Sequence, residues 1–182
     1  MNFTVRPAVP ADAASIIRVR HQGWQETYGH LLAPEFLASM AADIEPRARR
    51  VAGRIAATTA EGRTADWVAF DDRNRMIGFA AAGPARPEHP MSAPGQRAPD
   101  PDQPLPEEEL YALYLLARAQ GGGAGQALLD EALGGRPAVL WVLEDNPRAR
   151  AFYARNGFRP DGAALAQGPE WQGARQIRMV RR

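Results

Sequence analysis

Residues 109–133 read ELYALYLLARAQGGGAGQALLDEAL. Glu109–Leu116 is rich in Leu and Tyr and predicts a strand. Gly121, Gly122 and Gly123 follow, and Gly123–Leu133 places Ala124, Leu128 and Ala132 on one helical face. Gly134 and Gly135 end that helix. The first turn of a helix has N–H groups without acceptors and a partial positive charge. Glycines before it let those groups close on an anion, so the stretch predicts a phosphate site that needs no lysine. A nucleoside-triphosphate loop would carry Gly-Lys-Ser or Gly-Lys-Thr, which is missing here. A dinucleotide GxGxxG fingerprint would need glycine at Leu128. The spacing present is Gln120, two residues, Gly123, one residue, Gly125.

Downstream, residues 139–158 read VLWVLEDNPRARAFYARNGF. Ala138–Leu143 predicts a buried strand, and Asn146-Pro147 is a common N-cap and first-position pair for a helix over Pro147–Arg155. Asn156-Gly157 ends it, and Phe158–Pro160 with Ile177–Val180 predicts a last strand pair. Upstream, Thr4–Ala8 predicts a strand. Asp12 then precedes, as a cap or first-turn acid, a helix with Ala13, Ile16, Ile17, Arg20 and Trp24 on one face. Leu31–Met40 reads as a loop and short helix, and Pro46–Thr59 as a basic helix. Asp66–Asp71 and Met76–Ala82 read as a hairpin turning at Asp72–Asn74. Residues 84–106 hold eight of the sixteen prolines and predict a long exposed loop. The fold class is α/β (α+β), antiparallel in front with one βαβ-like unit behind.

The two stretches, in this order and separation, resemble the signatures of the GNAT superfamily of acyl-CoA N-acyltransferases. RPAVPADAASI at residues 6–16 is similar to a family start. The resemblance implies a single domain over 1–182, with a mixed, mostly antiparallel sheet flanked by helices. It implies acetyl-CoA as cosubstrate and no metal. The pyrophosphate would lie on Gln120, Gly121, Gly122, Gly123, Ala124 and Gly125, and the pantetheine arm along Tyr114, Leu115 and Asn146. Leu115 or a neighbour would give the N–H that stabilises the oxyanion. Tyr153 matches the tyrosine that protonates the departing thiolate. On its residues alone it is equally an aromatic on a buried helix face beside Phe152. Glu109 matches a glutamate that acts as general base through water, and an alkyl ammonium with pKa about 10 must lose a proton before it attacks. Glu107–Glu109 is also what a solvated acidic run looks like. Trp24 and Tyr28 fall where family members shape the acceptor pocket, although core packing serves Trp24 as well.

Two departures from the family pattern stand out. Gly122 occupies a place where family loops carry Arg or Lys, which removes a charge or shifts it to Arg118. Leu116–Ala119 lacks the usual acid or histidine before proline, which predicts a looser turn.

Composition narrows the function classes. With 22 basic and 21 acidic residues the net charge is +1, which argues against nucleic acid or an anionic membrane as partner. No run approaches the ~20 apolar residues of a membrane helix, so no membrane partner and a cytoplasmic setting are expected. The absence of cysteine removes thiolate metal sites and a cysteine nucleophile. His21, His30 and His89 show no metal spacing. The expected activity is acetyl transfer to a small-molecule or peptide amine in a ternary complex, with a homodimer through strand edges as a family-like assembly. The alternatives are an acyl-CoA-binding sensor that transfers nothing and a nucleotide binder with unrelated chemistry.

Overall fold

A computed structural model describes residues 2–29, 35, 44–86, 104–166 and 174–182. In chain order the elements are β1 (Phe3–Pro7), α1 (Ala13–Tyr28), α2 (Ile44–Ala60), β2 (Asp66–Asp71), β3 (Met76–Pro84) and β4 (Glu108–Leu115). They continue with α3 (Ala124–Leu133), β5 (Ala138–Leu143), α4 (Pro147–Arg155), β6 (Arg159–Ala166) and β7 (Arg175–Arg181). The strands bond in the order β1-β2-β3-β4-β5-β7-β6. The β4–β5 pair is parallel, and β1–β2, β2–β3, β5–β7 and β6–β7 are antiparallel. The sheet is thus mixed and mostly antiparallel, as expected. A parallel pair needs a crossover, and α3 supplies it between β4 and β5.

The chain divides into two compact units, Met1–Ala82 with Ala112–Gly134, and Gly83–Tyr111 with Gly135–Arg182. In the first, Gly78 and Phe79 are neighbours on β3 and face opposite sides of the sheet. On the Gly78 side lies Leu128 of α3, and on the Phe79 side lie Arg20 of α1 and Tyr114. A Cβ at Gly78 would stand 2.6 Å from Leu115 Cδ1 and 2.7 Å from the Tyr114 carbonyl oxygen, so β3 and β4 approach too closely for any side chain there. Helix α1 buries Ala13, Ile16 and Ile17 of the expected face, and Val19 and Gly23 beside them.

Asp12 does not cap α1. Its carboxylate accepts the Val9 N–H at 2.9 Å and two Arg6 bonds at 2.7 and 2.8 Å, so it closes the short turn before the helix. Burial pushes the Asp12 carboxyl up, but Arg6 and the Val9 N–H hold it below the usual carboxylate value. The helix expected at Pro46–Thr59 spans Ile44–Ala60, with Pro46 in its first turn, where no intrahelical donor is needed. The element expected at Leu31–Met40 lies outside the described residues except Glu35, and most of the 84–106 loop, residues 87–103, lies outside them as well.

In the second unit β6 is longer than Phe158–Pro160. Asp161 accepts the Ala163 N–H at 3.2 Å and Arg178 Nε of β7 at 2.9 Å. The strand therefore continues to Ala166 through an irregularity between Pro160 and Ala164. Among the described residues no helix is long and apolar enough to cross a membrane.

Two outcomes follow from this packing. Gly78→Ala should lower stability by about 1–3 kcal/mol, because the methyl meets backbone that cannot swing aside; urea denaturation measures it. At the β2–β3 turn, Asp71 accepts from the N–H groups of Arg73 and Arg75 and from Arg75 Nε, at 3.1, 2.9 and 2.9 Å. The Arg75 N–H foremost, then its side chain, hold the Asp71 carboxyl below its ordinary value. Such a group stabilises the fold above the unfolded carboxylate pKa of about 4 and ceases to do so as pH falls through the lower folded value. Asp71→Asn should weaken the protein at pH 7 and flatten its loss of stability on acidification, read from urea midpoints at a series of pH values.

Candidate active site

The glycine turn belongs to the first unit. Leu116 N–H donates to the Ile77 carbonyl at 2.9 Å, which ties the end of β4 to β3. A single 3-10 turn, Ala117–Ala119, follows. The turn is better held than its sequence suggests. Glu26, on α1, accepts the Ala117 N–H at 2.7 Å, and Gln120 Nε2 donates to the Leu115 carbonyl at 2.9 Å. The acid missing from the local pattern comes from 91 residues away.

Gly121–Gly123 is exposed, and Gly123 has φ +92°, a left-handed conformation that favours glycine. Gly123 is also the N-cap of α3 and has no side chain to close it. The first helical bond runs from Ala127 N–H to the Gly123 carbonyl at 3.0 Å. The N–H groups of Ala124 and Gly125 therefore have no acceptor inside the helix, at its positive end. Gly122 differs from its neighbours. Its φ is not positive, and a Cβ there would meet only the Ala119 carbonyl oxygen, at 3.7 Å. A side chain fits at Gly122, so the missing charge is not a steric necessity.

The ladder between β4 and β5 comprises Glu109↔Val139 and Leu110↔Leu140. Successive N–H groups of a strand alternate in direction. Since Leu116 N–H points toward β3, Leu115 N–H points toward the opposite edge, and its carbonyl there takes the Gln120 amide.

Trp24 Nε1 donates to Tyr114 Oη at 2.5 Å, which joins α1 to β4. Burial pushes the Tyr114 phenol up, against Arg20 and the Trp24 bond, so it stays neutral. The side chain of Tyr114 thus serves the α1 face. Tyr28 is half-buried at the last position of α1.

The second unit holds Glu109, Asn146 and Tyr153. Glu109 is 2% exposed, which excludes a solvated acidic surface for it. Its Oε2 accepts the Arg86 N–H at 3.1 Å and Arg86 Nε at 3.0 Å, and its Oε1 accepts Arg86 Nη2. Asn146 caps α4, its side-chain oxygen accepting the Ala149 N–H at 3.0 Å. Tyr153 is 8% exposed and packs edge-on against Phe152 and Phe158, with ring centroids 5.3 and 5.9 Å away. Among the described residues no group of three or more His, Cys, Asp or Glu side chains is placed to hold a metal ion.

Sequence reasoning missed Arg86 and Glu26, which act across 23 and 91 residues and have no local mark. Arg20 did have one, since it falls on the apolar face of α1 one turn before Trp24.

Comparison with known proteins agrees with this frame. An acetyltransferase (GNAT) domain model matches residues 64–160, more than half of the chain. The uncharacterized N-acetyltransferase YuaI of Bacillus subtilis (strain 168) is 29% identical over 150 residues, covering 79% of this chain and 73% of that protein. The probable N-acetyltransferase Rv2775 of Mycobacterium tuberculosis is 25% identical over 172 residues, covering 92% and 86%. Among solved structures, the PaiA N-acetyltransferase of Thermoplasma acidophilum in complex with coenzyme A aligns with a TM-score of 0.70 at 19% identity, covering 100% of this chain and 99% of that one. At that identity the likeness shows a shared fold. A strand ending in an uncapped glycine turn, on this strand order and with a family model over most of the same residues, makes the chain a member of the GNAT family of acetyltransferases.

Proposed function

We propose that the protein transfers the acetyl group of acetyl-CoA to a primary amine by direct attack in a ternary complex. The observation that carries this is the open N-terminus of α3 behind Gly121–Gly123, where backbone N–H groups await an anion. Support comes from the family membership and from the coenzyme A bound by the Thermoplasma relative. In this reading Gln120–Gly125 holds the pyrophosphate, while the backbone edge at Tyr114–Leu115 and Asn146 hold the pantetheine arm.

The amine nitrogen attacks the thioester carbonyl carbon, and the carbonyl electrons move onto oxygen. Leu115 N–H is the donor for that oxyanion. Collapse re-forms the carbonyl, breaks the C–S bond and releases a thiolate, which takes the Tyr153 phenolic proton. The proton of the attacking amine goes to water. Glu109 is the less suitable base, because Arg86 already bonds both its oxygens. Its role is to anchor the start of β4. A thioester relay has no nucleophile in a chain without cysteine.

Titration of acetyl-CoA in a calorimeter, with ADP as control, tests the first half of the proposal. Saturable binding that ADP reproduces poorly is expected, and no binding to folded protein would sink it. Binding without amine-dependent thiol release would favour a sensor instead. Tyr153→Phe should lower kcat about a hundredfold with little change in acetyl-CoA affinity; unchanged turnover removes Tyr153 from the acid role. Gly122→Arg should tighten acetyl-CoA binding by roughly fivefold at low salt, since the position has room and the new charge is exposed; the same titration reads it.

A further inference from the structure

Among the described residues, Arg20 is a cation whose surroundings are incomplete. It projects from α1 over the Phe79 side of the sheet. Its guanidinium carbon is 5.5 Å from the Phe79 ring centroid and 5.8 Å from that of Tyr114. The two rings are themselves stacked 5.5 Å apart. Arg20 Nε is buried and has no hydrogen-bond partner. A buried donor left without an acceptor is costly, and costlier when charged. An aliphatic side chain of similar length would pack on the same rings without that cost. Cation–ring contact accounts for the face of the guanidinium and leaves its edge unexplained.

Nor is the charge balanced by its neighbours. Arg47 and Arg54 add charge of the same sign, and the acid that acts on Arg20 is Asp66. Both oxygens of Asp66 are bonded by Arg54. Burial foremost pulls the Arg20 pKa down, yet an arginine remains charged in such settings. Tyr114 Oη accepts from Trp24, which leaves its own proton to donate. Among the described residues, Arg20 Nε thus has no acceptor, and the Tyr114 hydroxyl beside it adds a donor. A planar guanidinium lying on an aromatic shelf suits a planar oxyanion, which it grips with two parallel bonds. The coenzyme pyrophosphate assigned above to the N-terminus of α3 is a different anion in this reading, because α3 sets Leu128 against the Gly78 side of the same strands. Tyr114 is the residue before Leu115, so a group held here is one residue from the donor assigned to the oxyanion.

We propose that Arg20 is a specificity-determining residue that receives the carboxylate of the acceptor, which makes the acceptor an amino-acid-like molecule with a primary amine and a free carboxylate. This rests on the acetyl-transfer reading above and names the substrate class for it.

The test uses the standard amino acids, their amides and the corresponding decarboxylated amines as acceptors, with phosphoethanolamine as a second anion. Release of the CoA thiol is followed with a thiol reagent, to which the protein contributes no cysteine. Wild type should prefer the best free acid over its amide by about a hundredfold in kcat/KM. Arg20→Met, which keeps the aliphatic contact with the rings, should abolish that preference by losing activity on the acid alone, and Arg20→Lys should retain part of it. If Arg20→Met fails to fold by its thermal melt, Arg20→Lys carries the comparison. Equal use of acid and amide, an equal loss on both in the variant, or phosphoethanolamine as the sole acceptor would overturn the proposal while leaving acetyl transfer intact. Calorimetric titration of the same amino acids into CoA-saturated protein separates the two claims. Arg20-dependent binding without turnover of any acceptor keeps the carboxylate site and counts against the acetyl-transfer reading; turnover of the decarboxylated amines without Arg20-dependent binding of the acids keeps acetyl transfer and overturns the carboxylate site.

Discussion

The parallel ladder between β4 and β5 ends at Leu110↔Leu140. The backbone-donor role proposed for Leu115 depends on that short pairing. A strand bonded on both edges has no backbone to offer a ligand. Here Tyr111–Leu115 lie beyond the β5 register pairs, and Leu115 turns its N–H and carbonyl to the edge away from β3. The strand keeps its place by other means. Gly78 lets β3 approach closely, and Leu116 bonds to Ile77. At the other end of β4, Arg86 fastens Glu109.

Among the described residues, buried charge follows one rule with one departure. Asp66, Asp71 and Glu109 are nearly inaccessible, and each is paired with an arginine that also gives it directed hydrogen bonds. Such pairs add little net stability over a well-packed apolar core, but leaving either partner alone is strongly destabilising. They therefore fix which strand ends and turns lie together. Arg20 departs from the rule, with aromatic faces in place of a carboxylate. A folded protein tolerates such a defect where something other than folding benefits, which is why the missing acceptor is sought in a ligand.

What the sequence made legible was local. Ala138–Leu143 and Pro147–Arg155 have the bounds their composition predicts, because a buried run of branched residues and an Asn-Pro cap act within a few residues. The glycine turn was legible for the same reason, since Gly123 sets its own backbone angle. Asp12 does not act as the cap it resembles, because an acidic residue beside a turn satisfies a cap or a neighbouring arginine equally well, and here Arg6 and the Val9 N–H bind it. Glu109 read equally as a general base or as solvated surface, because its partner Arg86 stands on the far side of a proline-rich stretch in sequence. No local pattern records that Glu26 closes the turn at Ala117. Periodicity did put Arg20 with Trp24, but it did not show that the guanidinium would lie on two rings without an acceptor.

The open space at Gly122 has a use apart from charge. The position is exposed, its backbone suits any L-residue, and the nearest atom to an added Cβ is 3.7 Å away. The chain has no cysteine of its own. A cysteine installed there would be the sole thiol in the chain, so a fluorophore could be attached at the mouth of the glycine turn with no competing label. Its emission would follow occupancy of the turn directly, independent of which acceptor the enzyme prefers and of whether turnover occurs.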